Sequence, residues 1–370
     1  MSQPQPWIHS ARFDLTLILA PAFLICAVVL FWRETLLGLP FLPAWAWLVL
    51  VVGVDVAHVY GTLFRTYLDT DEWRTRRVLY LLTPLVTWLA GIALYQLGAL
   101  LFWRALAYLA VFHFVRQQYG LFAIYARHDA RNGRFARLLD TSVIYAATMF
   151  PLLFWHLQPR QFAWFIADDF VQFDWPLLTP VCATIYAVLV LLYLGKETVG
   201  AFQTGYLNVP KNLLLGGTAL SWLLGIVVFD NDLIFTATNV CAHGIPYLAL
   251  IWLYGRNRTL WRASLRPVAF SIGDRLFTPR AWPVYLGILV VLAFIEEGVW
   301  DGLIWREHPE FFTDFFAMPA ITSEITLAWL VPLLAVPQAT HYVLDAYIWR
   351  MTKEHHAWKH ILFYQANLPR

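Results

Sequence analysis

Long apolar runs, parted by short polar turns, set the pattern of this chain. A helix that crosses the hydrocarbon core of a bilayer needs roughly 20 apolar residues. Ten runs approach that length: 14–32, 43–64, 78–97, 104–126, 138–156, 177–195, 212–229, 232–255, 281–300 and 325–349. Little more than "LGALLFWR" separates the third run from the fourth, and the tight polar turn "FDND" joins the seventh to the eighth. No internal repeat, linker or low-complexity segment interrupts the series. The expectation is an all-α, polytopic membrane protein with ten crossings, residues 1–370 forming a single integral helical domain.

Composition agrees with that pattern. Of 370 residues, 60% are hydrophobic and only 14% charged, too few charges for the surface of a soluble protein of this size. The net charge of +2 and the scatter of basic residues over many loops exclude a nucleic-acid partner. Cys26, Cys182 and Cys241 all fall in apolar segments, with no spacing that suggests a disulfide frame or a zinc knuckle. The first apolar run is long enough to span and has no convincing cleavage site, so no cleaved leader is expected.

Charge then orients the helices. With the N-terminus inside, 21 of the 26 Lys and Arg residues fall in inner segments and 4 in outer ones. That bias puts both termini on the cytoplasmic side, of a bacterial inner membrane by expectation. The outer segments instead read as acidic, as in "IADDF" and "IEEGVWDG". Trp45, Trp47, Trp73, Trp175, Trp300 and Trp349 lie near span ends, where amphipathic rings suit the headgroup region.

The polar residues inside the spans carry the candidate chemistry. An ionisable side chain at a helix centre costs about 2.5 kcal/mol or more, so it persists where a bundle interior supplies partners. Here such residues cluster on four helices. The second run carries Asp55 and His58, and the fourth His113, Arg116, Gln117 and Gln118. The eighth carries Asn239 and His243, and the tenth His341 and Asp345. Four imidazoles on four helices, each with a polar neighbour about one turn away, point to a shared metal site. Its expected ligands are His58, His113, His243 and His341. Asp55, Asn239 and Asp345 would accept from the second ring nitrogens, with Gln117 in the same outer shell. Arg116, one turn from His113, requires a carboxylate, either Asp55 or Asp345. At 1.5 Å rise per residue the four histidines spread over ~10 Å of depth. Either tilt and a break at Pro246 draw them to one ion, or they serve two metals. His9, His128 and His308 lie in loops, and His355, His356 and His360 in a basic interfacial tail.

The closing stretch "HYVLDAYIWR" resembles the final motif of the bacterial Brp/Blh family, membrane β-carotene 15,15'-dioxygenases. Motif order is similar too: His58 in an early helix, His113 followed by Phe114, His243 in a third patch, and His341 with Tyr347, Ile348, Trp349 and Arg350 in the last. Four short patches, about a sixth of the chain, carry the resemblance. It implies a membrane-embedded dioxygenase using a histidine-held iron. The chain departs from the family's pattern at four places: Thr62 stands where an early acid would, Gln118 replaces an aspartate, Tyr247 replaces a second histidine, and Asp345 is shifted by one.

Imidazoles without a coordinating carboxylate suit Fe(II) with positions open to O2 and substrate. The substrate would be lipid-soluble and enter sideways: a carotenoid, retinoid, quinone, sterol or acyl chain. Tyr60 and Tyr247 are the expected catalytic side chains, with Tyr119 a further tyrosine close in sequence to a ligand. O2 is the expected co-substrate, and the residues name no redox partner. Two other classes use the same residues. A haem- or quinone-binding electron carrier pairs histidines on neighbouring helices. A proton-coupled transporter relays protons through Asp, His and Arg.

Overall fold

A computed structural model describes residues 4–39, 41–129, 133–265, 272–312, 319, 321–349 and 356–364. Every regular element among them is helical. Among the described residues nine helices are long and apolar enough to cross a membrane: α1 (Ala11–Phe31), α2 (Ala44–Arg65), α3 (Thr70–Leu97), α4 (Ala99–His128), α5 (Arg134–Leu157), α6 (Leu178–Thr204), α7 (Val209–Val228), α8 (Asp232–Leu265) and α9 (Trp282–Trp305). A further pair, α10 (Glu324–Leu334) and α11 (Val336–Ile348), meets the same test only when taken together, and is bent by 41°. The reason is local. Pro337 cannot donate to the carbonyl four residues back, and its ring crowds that carbonyl.

Several helices outrun the apolar runs that announce them. α3 begins at Thr70, capped by the Asp69 side chain, and α8 continues to Leu265. Polar helical turns outside the hydrocarbon leave no trace in hydropathy. Between α3 and α4 the break is one residue, Gly98, whose φ of 153° favours glycine. The stretch "IEEGVWDG" is not an outer loop. Glu296 and Asp301 are buried within α9, and Asp301 accepts the backbone N–H groups of Glu307 and His308.

The chain sorts into two compact units, 1–42 with 114–246, and 43–113 with 247–370. A single domain is the expectation from sequence; of the three boundaries between the units, two fall inside helices, at 113/114 in α4 and 246/247 in α8, and the third, at 42/43, falls in the connection between α1 and α2. Composition cannot reveal a boundary that falls inside a continuous helix.

In the first unit α5 packs on α6, and α7 packs on α1 and α5. Gly217 permits the close approach of α7 to α1: a Cβ there would stand 3.1 Å from that of Ala22. Lys211 is buried at the start of α7, and its ammonium meets Asp129 at 2.7 Å and Glu197 at 2.8 Å. Three helices and a loop share this network, since Lys196 pairs with Asp140 and Glu197. Asp14 of α1 ties down the N-terminal segment by accepting from the backbone of Ile8 and His9 and from the Tyr125 hydroxyl.

In the second unit α9 packs on α2, α11 on α2 and α3, and α10 on α3. The fully buried Arg65 ends α2, paired with Glu72 at 2.9 Å and lying 4.4 Å from the Tyr254 ring centroid. Its guanidinium also donates to the Ile348 carbonyl, which joins the ends of α2 and α11.

Candidate metal centre

Three of the four histidines meet in the second unit. His58 comes from α2, His113 from α4 and His341 from α11, and each is at most 3% exposed. Nε2 of His341 lies 3.1 Å from Nε2 of His58 and 3.1 Å from Nε2 of His113. The ring planes of His58 and His341 cross at 79°, those of His113 and His341 at 67°. The 10 Å spread in depth expected from straight, upright helices is absent for these three. α2 contains wide turns bonded five residues back over Trp47–Val56, just before His58, and α11 starts at the 41° bend, five residues before His341. Both irregularities re-aim the side chains that follow.

The protons on the site can be assigned from its hydrogen bonds. Tyr247 donates its hydroxyl to Asp345 Oδ1 at 2.7 Å. Its single proton is then spent, so in the 2.8 Å contact with Thr62 the threonine is the donor. The Thr62 proton is spent in turn, so across 2.6 Å the His341 ring must donate from Nδ1. The chain of bonds runs His341 to Thr62 to Tyr247 to Asp345 and leaves Nε2 of His341 as a bare lone pair. Asp55 Oδ1 lies 3.6 Å from His58 Nδ1, and Asp345 Oδ2 lies 3.6 Å from His113 Nδ1. Both carboxylates thus lie on the Nδ1 side of these rings, beyond hydrogen-bond distance. Nε2 of His341 therefore turns its lone pair toward Nε2 of His58 and Nε2 of His113 in a buried space, where a cation would find nitrogen donors.

The spacing fits such a cation. Nitrogens bound at ~2.1 Å stand ~3.0 Å apart at a right angle and ~3.4 Å apart at a tetrahedral one. The observed 3.1 Å falls in that interval. Two axial histidines on opposite faces of a haem would stand ~4 Å apart with the macrocycle between them, so this spacing suits an ion better.

His243 belongs to the first unit, where it is buried and its ring stacks on Phe114 with centroids 3.6 Å apart. Gln117 reaches the backbone carbonyl of His243, not its ring, at 2.8 Å, and Gln118 reaches the Ala242 carbonyl. The cause is Pro246. It has no N–H to give to Ala242 and distorts the turn around it, so the two glutamines supply the missing donors. Asn239 Nδ2 bonds the Phe235 carbonyl, and its Oδ1 has no partner among the described residues. Arg116 is exposed; it donates to the Tyr145 hydroxyl at 2.5 Å and lies over the Tyr119 ring. The expected pairing with Asp55 or Asp345 is thus replaced by an aromatic cradle. Tyr60 lines a cavity beside His341. Arg350 and His355 lie outside the described residues.

Thr62 is the residue that sequence reasoning left out of the site. Its position one turn after His58 was the available signal, but a helical threonine usually bonds its own backbone. No protein-family model, curated protein or solved structure matches this chain.

Proposed function

We propose that this protein is a membrane-embedded, non-haem iron oxygenase acting on a lipid-soluble substrate. One observation carries the proposal: the Nε2 atoms of His58 and His113 each lie 3.1 Å from Nε2 of His341, while the second nitrogen of His341 is committed to Thr62. An all-imidazole grip with no coordinating carboxylate suits Fe(II) and leaves positions open. When bound there, iron would supply activation of O2. His243 is the sequence's candidate for a further ligand; it precedes Tyr247 by one turn of α8. The chain's own residues would then orient the imidazoles. Asp345, Tyr247 and Thr62 fix the tautomer of His341, and Asp55 faces the outer nitrogen of His58. Burial of all three rings keeps bulk water from the ion. In this reading both termini lie in the cytoplasm, and O2 and the lipid-soluble substrate are the reactants.

Elemental analysis of detergent-purified protein, alongside its visible spectrum, tests the proposal. The expected result is about one iron per chain with no Soret band, and loss of that iron in His341→Ala. Metal-free protein, a haem spectrum or a His341→Ala variant that keeps its iron would overturn it.

A further inference from the structure

A cavity of about 190 Å³ lies in the second unit, lined by residues of α2, α3 and α11 and of the turn after α2. Buried Val59, Thr340 and His341 line its deep part, and half-exposed Leu63, Pro84 and Pro337 line its outer part. α3 and α11 each carry a proline at this level, where the helix cannot keep its regular bonding. The gap between the helices coincides with both.

Thr340 is the informative residue. A buried helical threonine satisfies its hydroxyl on a carbonyl one turn back, as Thr83, Thr238 and Thr259 do. Thr340 is 7% exposed, and its Oγ1 is buried without a partner among the described residues. A buried hydroxyl left unpaired is costly, and this one lines an otherwise apolar space. The volume sets the bulk of what fits. A cavity of ~150 Å³ takes a benzene, so this one accepts a single ring with a small substituent.

We infer that this cavity receives the oxygenated end of a lipid-soluble molecule, a ring or chain end whose hydroxyl or carbonyl group hydrogen-bonds Thr340. The inference rests on the oxygenase reading for its consequence: His341, a ligand in that reading, shares the cavity wall, so the bound end lies next to the reactive centre. The apolar remainder of a larger molecule stays outside the cavity, in the bilayer.

The test uses the full chain in liposomes and a one-ring photolabel, 3-trifluoromethyl-3-phenyldiazirine, with the labelled residues found by mass spectrometry. Cyclohexanone and methylcyclohexane compete at equal membrane concentrations. Labelling of Val59 and Leu63 is expected to yield to cyclohexanone about fivefold more readily, the worth of one hydrogen bond. Thr340→Val should erase that preference and Thr340→Ser retain it. Leu63→Trp, which fills the outer part of the cavity, should abolish the displaceable labelling. Equal competition by the two compounds, or a preference that survives Thr340→Val, overturns the inference. So does labelling of Val59 no more displaceable than that of exposed Leu85 and Leu89. Metal content of the same samples separates the two proposals. Failed competition in iron-loaded protein sinks the cavity assignment alone. Selective competition in protein that binds no metal supports the cavity and sinks the oxygenase.

Discussion

At the scale of residues, the site depends on a direction of hydrogen bonding. Asp345 accepts from Tyr247, Tyr247 accepts from Thr62, and Thr62 accepts from His341. Tyr247 and Thr62 have one hydroxyl proton each and Asp345 only accepts, so removing a middle member releases the tautomer of His341. Thr62→Val preserves the volume and deletes the middle link. It is expected to weaken metal binding by ~10–100-fold, the usual effect of losing a group that orients a ligand, while Thr62→Ser keeps the affinity. Competition against a chelator of known strength measures this; unchanged affinity in Thr62→Val would show that the ring is held by packing alone. Much of this site is legible in the sequence, because an ionisable residue in an apolar run is conspicuous. His58, His113, Tyr247, His341 and Asp345 stand out in that way. Thr62 does not, because a hydroxyl in a membrane helix usually answers its own backbone. Arg116 stands out equally and yet turns to Tyr145 and Tyr119. The rotation of a side chain about its helix decides that, and a polar letter carries no record of it.

At the scale of elements, small residues and prolines decide how the helices approach. Gly91 of α3 faces Pro332 of α10, where an added Cβ would stand 2.8 Å from the proline Cβ. Gly91→Val should therefore force α3 and α10 apart and cost about 1–3 kcal/mol, read as a lower thermal midpoint in detergent. An unchanged midpoint would mean that α10 shifts freely. The helices themselves are plain in the sequence, since length and hydropathy of a run are local quantities. Their polar extensions are not, nor is the break of the last span at Ala335. Pro332 and Pro337 are both visible there, but a proline in a membrane helix is tolerated as often as it bends one. Pro246 illustrates the tolerant case. α8 runs on without a break from Asp232 to Leu265, with Gln117 and Gln118 tending the carbonyls that Pro246 disturbs.

At the scale of the whole molecule, two expectations follow from charge and from linkage. The arginine and lysine bias predicts both termini on the cytoplasmic side. Cysteine tags at each end, probed with an impermeant maleimide on intact cells, should stay unlabelled until the cells are opened; labelling of either end beforehand would reverse the topology. An ion held by imidazoles stabilises only the folded chain. At a free metal level 100 times the dissociation constant that contribution is about 2.7 kcal/mol, so chelation should lower the unfolding temperature. Acid should act in the same direction. Protons compete for the nitrogens that hold the ion, so metal is kept at neutral pH and lost as the pH falls. A midpoint indifferent to both treatments would argue against a bound ion.

By itself the sequence determined the helical membrane class, the approximate number of spans and the short roster of side chains able to do chemistry. Those follow from run length and from the expense of placing ionisable groups in hydrocarbon, and both are properties of short stretches. Only the tertiary structure decided which of the roster meet, which nitrogens face one another, and where an unanswered hydroxyl lines a cavity. Convergence depends on bends, widened turns and helix rotations, set jointly by residues far apart in the chain. His58 and His341 are 283 positions apart, and nothing in either stretch alone states that their rings touch.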